Sequence, residues 1–309
     1  MIWNENKTIG AKVIAASYDT EYTLPPLYTM ELVYPHIVHA HLLTHRVFSR
    51  NTASSRAIPS STPIPLHNPE FRQNKAGMSP GDSFDDYTQC QAKIVWFTAY
   101  DKAYEAKQKL AKLKVHKQWA NRLTEPYEMK KVIVSSTEWD NFFWLRDHED
   151  AQDEIRELAQ LIKQAYSSVE PQTLPECAWH IPYFKATNNG TYINTENGKE
   201  YSTWEAITIS TSAVAQVSYR KLDFSMEKAM KLWDVFVGDG ENSRLHGSVF
   251  EHIAIPMTIG EQRVRGEAMH KLRKEVAYKF DDPVKLDNYI RRLMFPNNFN
   301  GWNQLRDFI

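Results

Sequence analysis

The twelve residues His45-Arg46-Val47-Phe48-Ser49-Arg50-Asn51-Thr52-Ala53-Ser54-Ser55-Arg56 decide how this chain is read. They hold three arginines, a histidine, three serines, a threonine and an asparagine, and a largely apolar run, Met30 to Leu43, leads into them. Clustered guanidinium groups beside hydroxyls make a natural phosphate seat, because the planar fork gives bidentate, charge-assisted hydrogen bonds. On residue type alone the plainer reading has the edge: a solvated basic loop, or a surface for nucleic acid. The charge balance points the other way. The 309 residues carry 37 Lys and Arg against 38 Asp and Glu, a formal net charge of -1. A chain that grips phosphate backbones without regard to sequence usually carries a strongly basic face, so a discrete anion pocket and no nucleic acid is the expectation.

Composition sets the broad class. With 42% hydrophobic and 12% aromatic residues the chain is globular and long enough for a real core, read as one domain over 1–309. Two cysteines, Cys90 and Cys177, form no C-x-x-C pair and no disulfide framework. Cys90 lies in a helical stretch and is expected to be a buried thiol; Cys177 lies in a loop with no nucleophile signature beside it. No secretory leader and no membrane-length apolar run is visible, so the expectation is a cytoplasmic chain without a membrane partner.

Working outward, residues 11–18 and 28–34 read as strands, and Pro35 opens a helix with Ile37, Val38, His41, Leu42 and His45 at helical spacing. Residues 57–85, rich in proline and serine, read as a long loop insertion. Residues 86–114 are helical, with lysines at the C-terminal end. Asp150 to Tyr166 is the clearest amphipathic helix, with Ile155, Leu158, Leu161 and Ile162 on its apolar side. A second insertion, 169–203, carries Asn189-Gly190 and Asn197-Gly198, which suggest a hairpin. Residues 206–219 read as strand or buried helix, with periodicity unable to decide. Helices are expected over 225–237 and from Asp282-Pro283 to Leu293.

Two further groups carry chemistry. Asn121-Arg122-Leu123-Thr124-Glu125-Pro126 is followed by Asn141-Phe142-Phe143-Trp144-Leu145-Arg146 and then Ala151-Gln152-Asp153-Glu154-Ile155-Arg156. Standing alone, Arg146 reads as a snorkelling cap or half of an ion pair. Farther on come Val217-Ser218-Tyr219 and Leu245-His246-Gly247-Ser248-Val249-Phe250-Glu251-His252. The H-x-x-x-x-E-H order fits no zinc spacing, so no metal site is expected.

Together these blocks resemble the flavin-dependent thymidylate synthases. That family carries an R-H-R-x(7)-S signature; here Thr44-His45-Arg46 is followed, after seven residues, by Ser54. His45, Arg46, Ser49, Asn51, Ser54 and Arg56 fall on the pattern, and Arg122 and Arg146 resemble the family's two nucleotide-contacting arginines. The segments around Ser218 and His246 to His252 resemble its A-R-V-S-F and H-x-T-P-F-E-H blocks. The order differs: in the family the F-E-H block precedes the arginine loop, and here it follows about 200 residues later (His45 against His246), as in a circular permutation. Thr44 replaces the first arginine of the signature, while His41 and Thr52 stand where the family has Gln and Glu.

The resemblance implies an α+β (α/β) fold, a mixed sheet with long helices in permuted order. It implies one-carbon transfer to C5 of a pyrimidine deoxynucleotide, most simply dUMP to dTMP, with FAD as cofactor and methylenetetrahydrofolate and NADPH as co-substrates. His41, Ser54, Arg56, Arg122 and Arg146 would hold the nucleotide, with Arg146 catalytic. His45, Arg46, Asn51, Asn141, Ser218, His246, Ser248 and Glu251 would line the flavin. The family's sites form between subunits, so a homo-oligomer, tetramer or dimer, is implied. Two alternatives stay open: hydroxymethylation of dUMP or dCMP on the same fold, and a non-catalytic nucleotide- or nucleic-acid-binding homologue.

Overall fold

β-Branched runs and alternation build the centre of the molecule. The structure, a computed structural model, describes residues 1–21, 23–76, 79–218, 222–237, 247–258, 260–262 and 298–309, with single positions Glu267, His270, Lys274, Asp282 and Leu286. In chain order the elements are β1 (Ile2–Trp3), β2 (Gly10–Tyr18), β3 (Leu27–Pro35), α1 (His39–Leu43), β4 (Ser49–Thr52), α2 (Asp86–Lys112), α3 (Lys117–Ala120), β5 (Met129–Ser136) and α4 (Asp140–Arg146). There follow α5 (Asp153–Ser167), β6 (Gln172–Thr173), β7 (Phe184–Ala186), β8 (Thr191–Asn194), β9 (Glu200–Ser202), α6 (Thr203–Ala215), α7 (Met226–Val237), β10 (Ala254–Pro256) and β11 (Trp302–Gln304). Helices and antiparallel sheets together give the expected α+β class.

The main sheet runs β1-β2-β3-β5-β4, antiparallel throughout, with β6 parallel beside β2. β5 shows the period of two that a doubly covered strand needs. Val132 and Val134 enter one core with Met30, Leu32 and the apolar stripe of α5, while Ile133 enters the other with Ile209, Ala213 and Val214 of α6. Burying one such aliphatic side chain contributes roughly 1.5–3 kcal/mol, so the sheet is held between α5 and α6.

Several expectations meet the structure directly. α5 lies where the amphipathic pattern puts it, and the 169–203 insertion folds as a three-stranded sheet, β7-β8-β9, with Gly190 at φ 78° and Gly198 at φ 69° in its turns. Residues 206–219 resolve as helix α6 and the 3-10 turn Gln216–Ser218. The helix is opened by a capping box in which Ser202 and Glu205 bond each other's backbone. Pro35 ends β3 instead of opening a helix; a 3-10 turn, His36–Val38, precedes α1.

Two expectations need correction. The arginine stretch is not wholly loop, since Ser49–Thr52 pairs with β5 as an edge strand. Cys90 is exposed, on a helix whose one buried side chain is Lys107. The expected helix from Asp282-Pro283 falls almost entirely outside the described residues. Among the described residues no helix is long and apolar enough to cross a membrane.

Candidate functional site

Three distant segments converge on β4. Its Asn51 stands opposite Ile133, on the sheet face that meets α6, and its Nδ2 donates to the Val214 carbonyl at 2.6 Å. The Gln304 side chain reaches in from β11, donating from Nε2 to Ser49 Oγ at 3.1 Å and to the Glu251 carbonyl at 2.9 Å. That bridge seats the 3-10 turn Gly247–His252 on β4. Glu251 itself pairs with Arg306, and its charge also reaches Arg50. The stretch around 49–52, the end of α6 and the Glu251 turn, separated by up to 200 residues in sequence, therefore lie together.

The end of α1 forms a second feature. A helix C-terminus leaves carbonyls without partners and attracts cations. Two arginines answer it. Arg50 Nη1 donates to the carbonyls of Leu43 at 3.1 Å and His45 at 3.2 Å. Arg146, at the end of α4, donates from Nη2 to the His41 carbonyl at 3.2 Å and Thr44 Oγ1 at 2.9 Å, and from Nε to His45 Nε2 at 3.1 Å. His45 Nε2 is thus an acceptor, so the ring is neutral with its proton on Nδ1. Burial, then the Arg146 and Arg50 charges, hold His45 down to about 4. Burial and Arg146 lower His41 too, and its buried Nδ1 has no hydrogen-bond partner among the described residues. Phe142, Phe48 and Trp139 wall this cluster in.

The third feature is a clamped turn. Ser54 accepts backbone bonds from Ala57 and Ile58, and Asn121 Nδ2 donates to the carbonyls of Ser55 and Ile58, both at 2.9 Å. Lys117 caps Ala57 O at 2.9 Å and Lys130 caps Ala53 O at 3.1 Å. Asn121 thereby fixes Arg122 beside the turn that carries Ser54 and Arg56. Both Arg56 and Arg122 are exposed and without a carboxylate partner among the described residues. Unpaired guanidinium groups next to hydroxyls and turn N–H groups are what a phosphate monoester needs.

The residues expected at the site thus fall into groups. Ser54, Arg56 and Arg122 share the clamped turn, while His41, His45 and Arg146 share the end of α1. Asn51 and Glu251 meet at β4, with Ser218 in the adjoining 3-10 turn. Arg46, Asn141 and Ser248 are exposed and make no hydrogen bond among the described residues. His246 lies outside the described residues. The pattern of arginines and serines does not reveal Lys130, Asn121 or Gln304; only the Asn121-Arg122 adjacency gives a hint.

A buried polar chain stands behind this surface. Ser17 Oγ meets His180 Nδ1 at 2.8 Å, His180 Nε2 meets Thr29 Oγ1 at 2.8 Å, Thr29 meets Ser135 Oγ at 2.6 Å, and Ser135 meets His252 Nδ1 at 2.8 Å. Thr29 and Ser135 face each other across β3 and β5, which is why their hydroxyls touch. Burial holds both histidines down to about 3, so both are neutral.

A cavity of about 640 Å³ opens between β5, the 3-10 turns at Asn121–Leu123 and Glu125–Tyr127, and the start of the 57–85 segment. Ser55 and Asn121 line it, so it adjoins the clamped turn. No cluster that could hold a metal ion occurs among the described residues.

Comparison with known proteins agrees with the pattern of the arginine stretch. The model of the family described as thymidylate synthase complementing protein matches residues 25–172, which include the clamped turn, Arg122 and Arg146 and stop short of Ser218 and Glu251. Two solved structures of PolB, a UMP/dUMP methylase from Streptomyces cacaoi, bound with 5-Br UMP and 5-Br dUMP, are similar at 16% and 17% identity. The TM-score is 0.43 in each case, over 52% of this chain and 89% and 90% of theirs. No curated protein matches the chain.

Proposed function

We propose, from the match of residues 25–172 to the model of the thymidylate synthase complementing protein family and from the resemblance to the flavin-dependent thymidylate synthases, that this chain transfers a one-carbon unit to C5 of a pyrimidine deoxynucleotide. The substrate is dUMP before dCMP, the product dTMP, and methylenetetrahydrofolate and NADPH are the co-substrates. The observation that carries the reading is the clamped turn, with Ser54, Arg56 and Arg122 held together and two unpaired cations facing solvent.

Ser54, Arg56 and Arg122 bind the phosphate. Arg146 stabilises the charge that develops on the pyrimidine when C5 becomes nucleophilic; its Nη1 has no partner among the described residues, and its other donors lock its pose. Neutral His45 accepts from Arg146 and so orients it without competing for the anion.

The residues also fit FAD. Arg46, Asn141 and Ser248 supply exposed side-chain donors with no partner among the described residues, suited to a diphosphate and a polar ring edge, while Asn51 and Glu251 form the floor of the site through bonds already made. When bound and reduced, the flavin supplies the electrons for the transfer, as cofactors do in such enzymes. The resemblance to a family whose sites form between subunits supports an active site completed by a second copy. Exposed Tyr87 and Val95 on α2 and Trp144 on α4 offer apolar surface for such a homo-oligomer. The test is the visible absorption spectrum of the purified protein with and without added FAD, followed by calorimetric titration with dUMP. Absence of flavin binding together with absence of dUMP binding would overturn the reading.

A further inference from the structure

Five parts of the chain line the cavity beside the clamped turn. Trp3 covers one side, lying so close over Gly10 that a Cβ there would come within 2.6 Å of its ring. Ile58 and Ile64, Met129 at the start of β5, and Val217 after α6 complete a mainly apolar wall. A volume of about 640 Å³ lies in the range of small-molecule sites, which join apolar walls to a few placed polar groups.

Two charged lining groups, Lys130 and Glu125, make no ion pair within 4.0 Å among the described residues, although the Glu125 charge reaches Lys130. The half-buried Lys130 ammonium gives one hydrogen to Ala53 O, has no carboxylate within 4.0 Å among the described residues and so retains donors. The Glu125 carboxylate makes no hydrogen bond or ion pair among the described residues. A free donor and a free acceptor in an apolar slot match a flat ring whose edge carries C=O beside N–H. An imide edge, C=O, N–H, C=O, satisfies the pair in either register, whereas the amino edge of cytosine satisfies it in one only. The cavity also shares its backbone with the phosphate seat, since Ser55 lies between Ser54 and Arg56 and Asn121 precedes Arg122.

We infer that this cavity is the base pocket of the nucleotide, with Lys130 donating to a ring carbonyl and Glu125 accepting from the ring N–H, and that these two residues set the preference for a uracil ring. The inference rests on the functional reading above for the phosphate seat. It assigns base choice to Lys130 and Glu125, neither of which falls on the family pattern, and removes it from His41.

Calorimetric titration of full-length wild type and of Thr62→Trp, Lys130→Met and Arg122→Ala tests the assignment, with dUMP, dCMP, deoxyribose 5-phosphate and a stable reduced folate as probes. Thr62 is a half-buried loop residue lining the cavity, so its Trp variant fills the space without touching the core; unchanged thermal unfolding verifies each fold. Thr62→Trp and Lys130→Met are expected to weaken dUMP about tenfold or more and leave deoxyribose 5-phosphate within about twofold, while Arg122→Ala weakens both. Lys130→Met should also narrow the gap between dUMP and dCMP. If Thr62→Trp weakens only the folate, the cavity serves the co-substrate and the base assignment falls. If neither variant changes any ligand while wild type still converts dUMP, the cavity assignment falls and the functional reading stands. If wild type binds dUMP through the cavity but never forms a 5-substituted product, the functional reading falls and the cavity stands. Absence of heat from dUMP on wild type overturns the assignment outright.

Discussion

Acid should unfold this protein through its buried histidines. His180 and His252 are fully buried, bonded to Thr29 and Ser135, and held down to about 3 by burial. An unfolded histidine titrates near 6.5. The folded values are depressed, so below about pH 6.5 the unfolded chain takes up protons that the folded chain refuses. Stability is full above that pH and is lost progressively as pH falls toward 3. Between pH 7 and pH 5 each histidine removes roughly 2 kcal/mol, about 1.4 units at 1.36 kcal/mol per unit, or ~4 kcal/mol for the pair. His39, held to about 3, and His45, held to about 4, act in the same direction. Glu128 and Glu157, raised by burial, act in the opposite direction in wild type and in a histidine variant alike, so comparing the two isolates the histidine contribution. Urea unfolding at the two pH values measures the loss. His252→Asn, whose amide can keep the bond to Ser135, should lose ~2 kcal/mol less than wild type over the same interval, whatever its stability at pH 7. Equal losses in the two proteins would refute the claim that His252 is folded neutral.

Other outcomes follow from the same contacts. Arg146→Ala should lower turnover by a factor corresponding to ~3 kcal/mol or more while flavin binding persists, measured by steady-state kinetics on the yellow protein; near-normal turnover at saturating nucleotide would remove Arg146 from the chemistry. Asn121→Ala deletes two buried bonds to Ser55 and Ile58 and should cost ~1–3 kcal/mol in denaturant unfolding and raise the Kd for dUMP; a rise confined to stability would leave the clamp without a role in binding. Replacing the exposed Cys90 and Cys177 by Ser should leave stability within about 0.5 kcal/mol and turnover intact, and loss of turnover in a folded, flavin-bound double variant would point to a thiol nucleophile.

What the sequence discloses depends on how local the signal is. β2, β3 and α5 are legible because their periods match the faces they bury. β4 is not, since Ser49-Arg50-Asn51-Thr52 has no strand signature and becomes a strand only by pairing with β5. α6 defeats periodicity because it is buried nearly all round; the Ser202 and Glu205 spacing was the signal that distinguishes helix from strand. Helix α2 is legible, but the exposure of Cys90 is not, as burial depends on what covers a helix. Among site residues, the arginines stand out by type and spacing. Lys130 and Asn121 do not, because a lysine in a strand and an asparagine in a turn ordinarily serve local structure. Their adjacency to Ala53 and Ser55 exists only in the folded chain.

The central claim is conversion of dUMP to dTMP by one-carbon transfer at C5. The most direct measurement is the mass of the nucleotide after the full-length protein is incubated with dUMP, FAD, methylenetetrahydrofolate carrying an isotopic label in its transferred carbon, and NADPH. The account predicts a labelled product heavier than dUMP by one methylene group, formed by wild type and lost in Arg146→Ala. Unchanged dUMP in the presence of bound flavin, or a labelled hydroxymethyl product in its place, would contradict it.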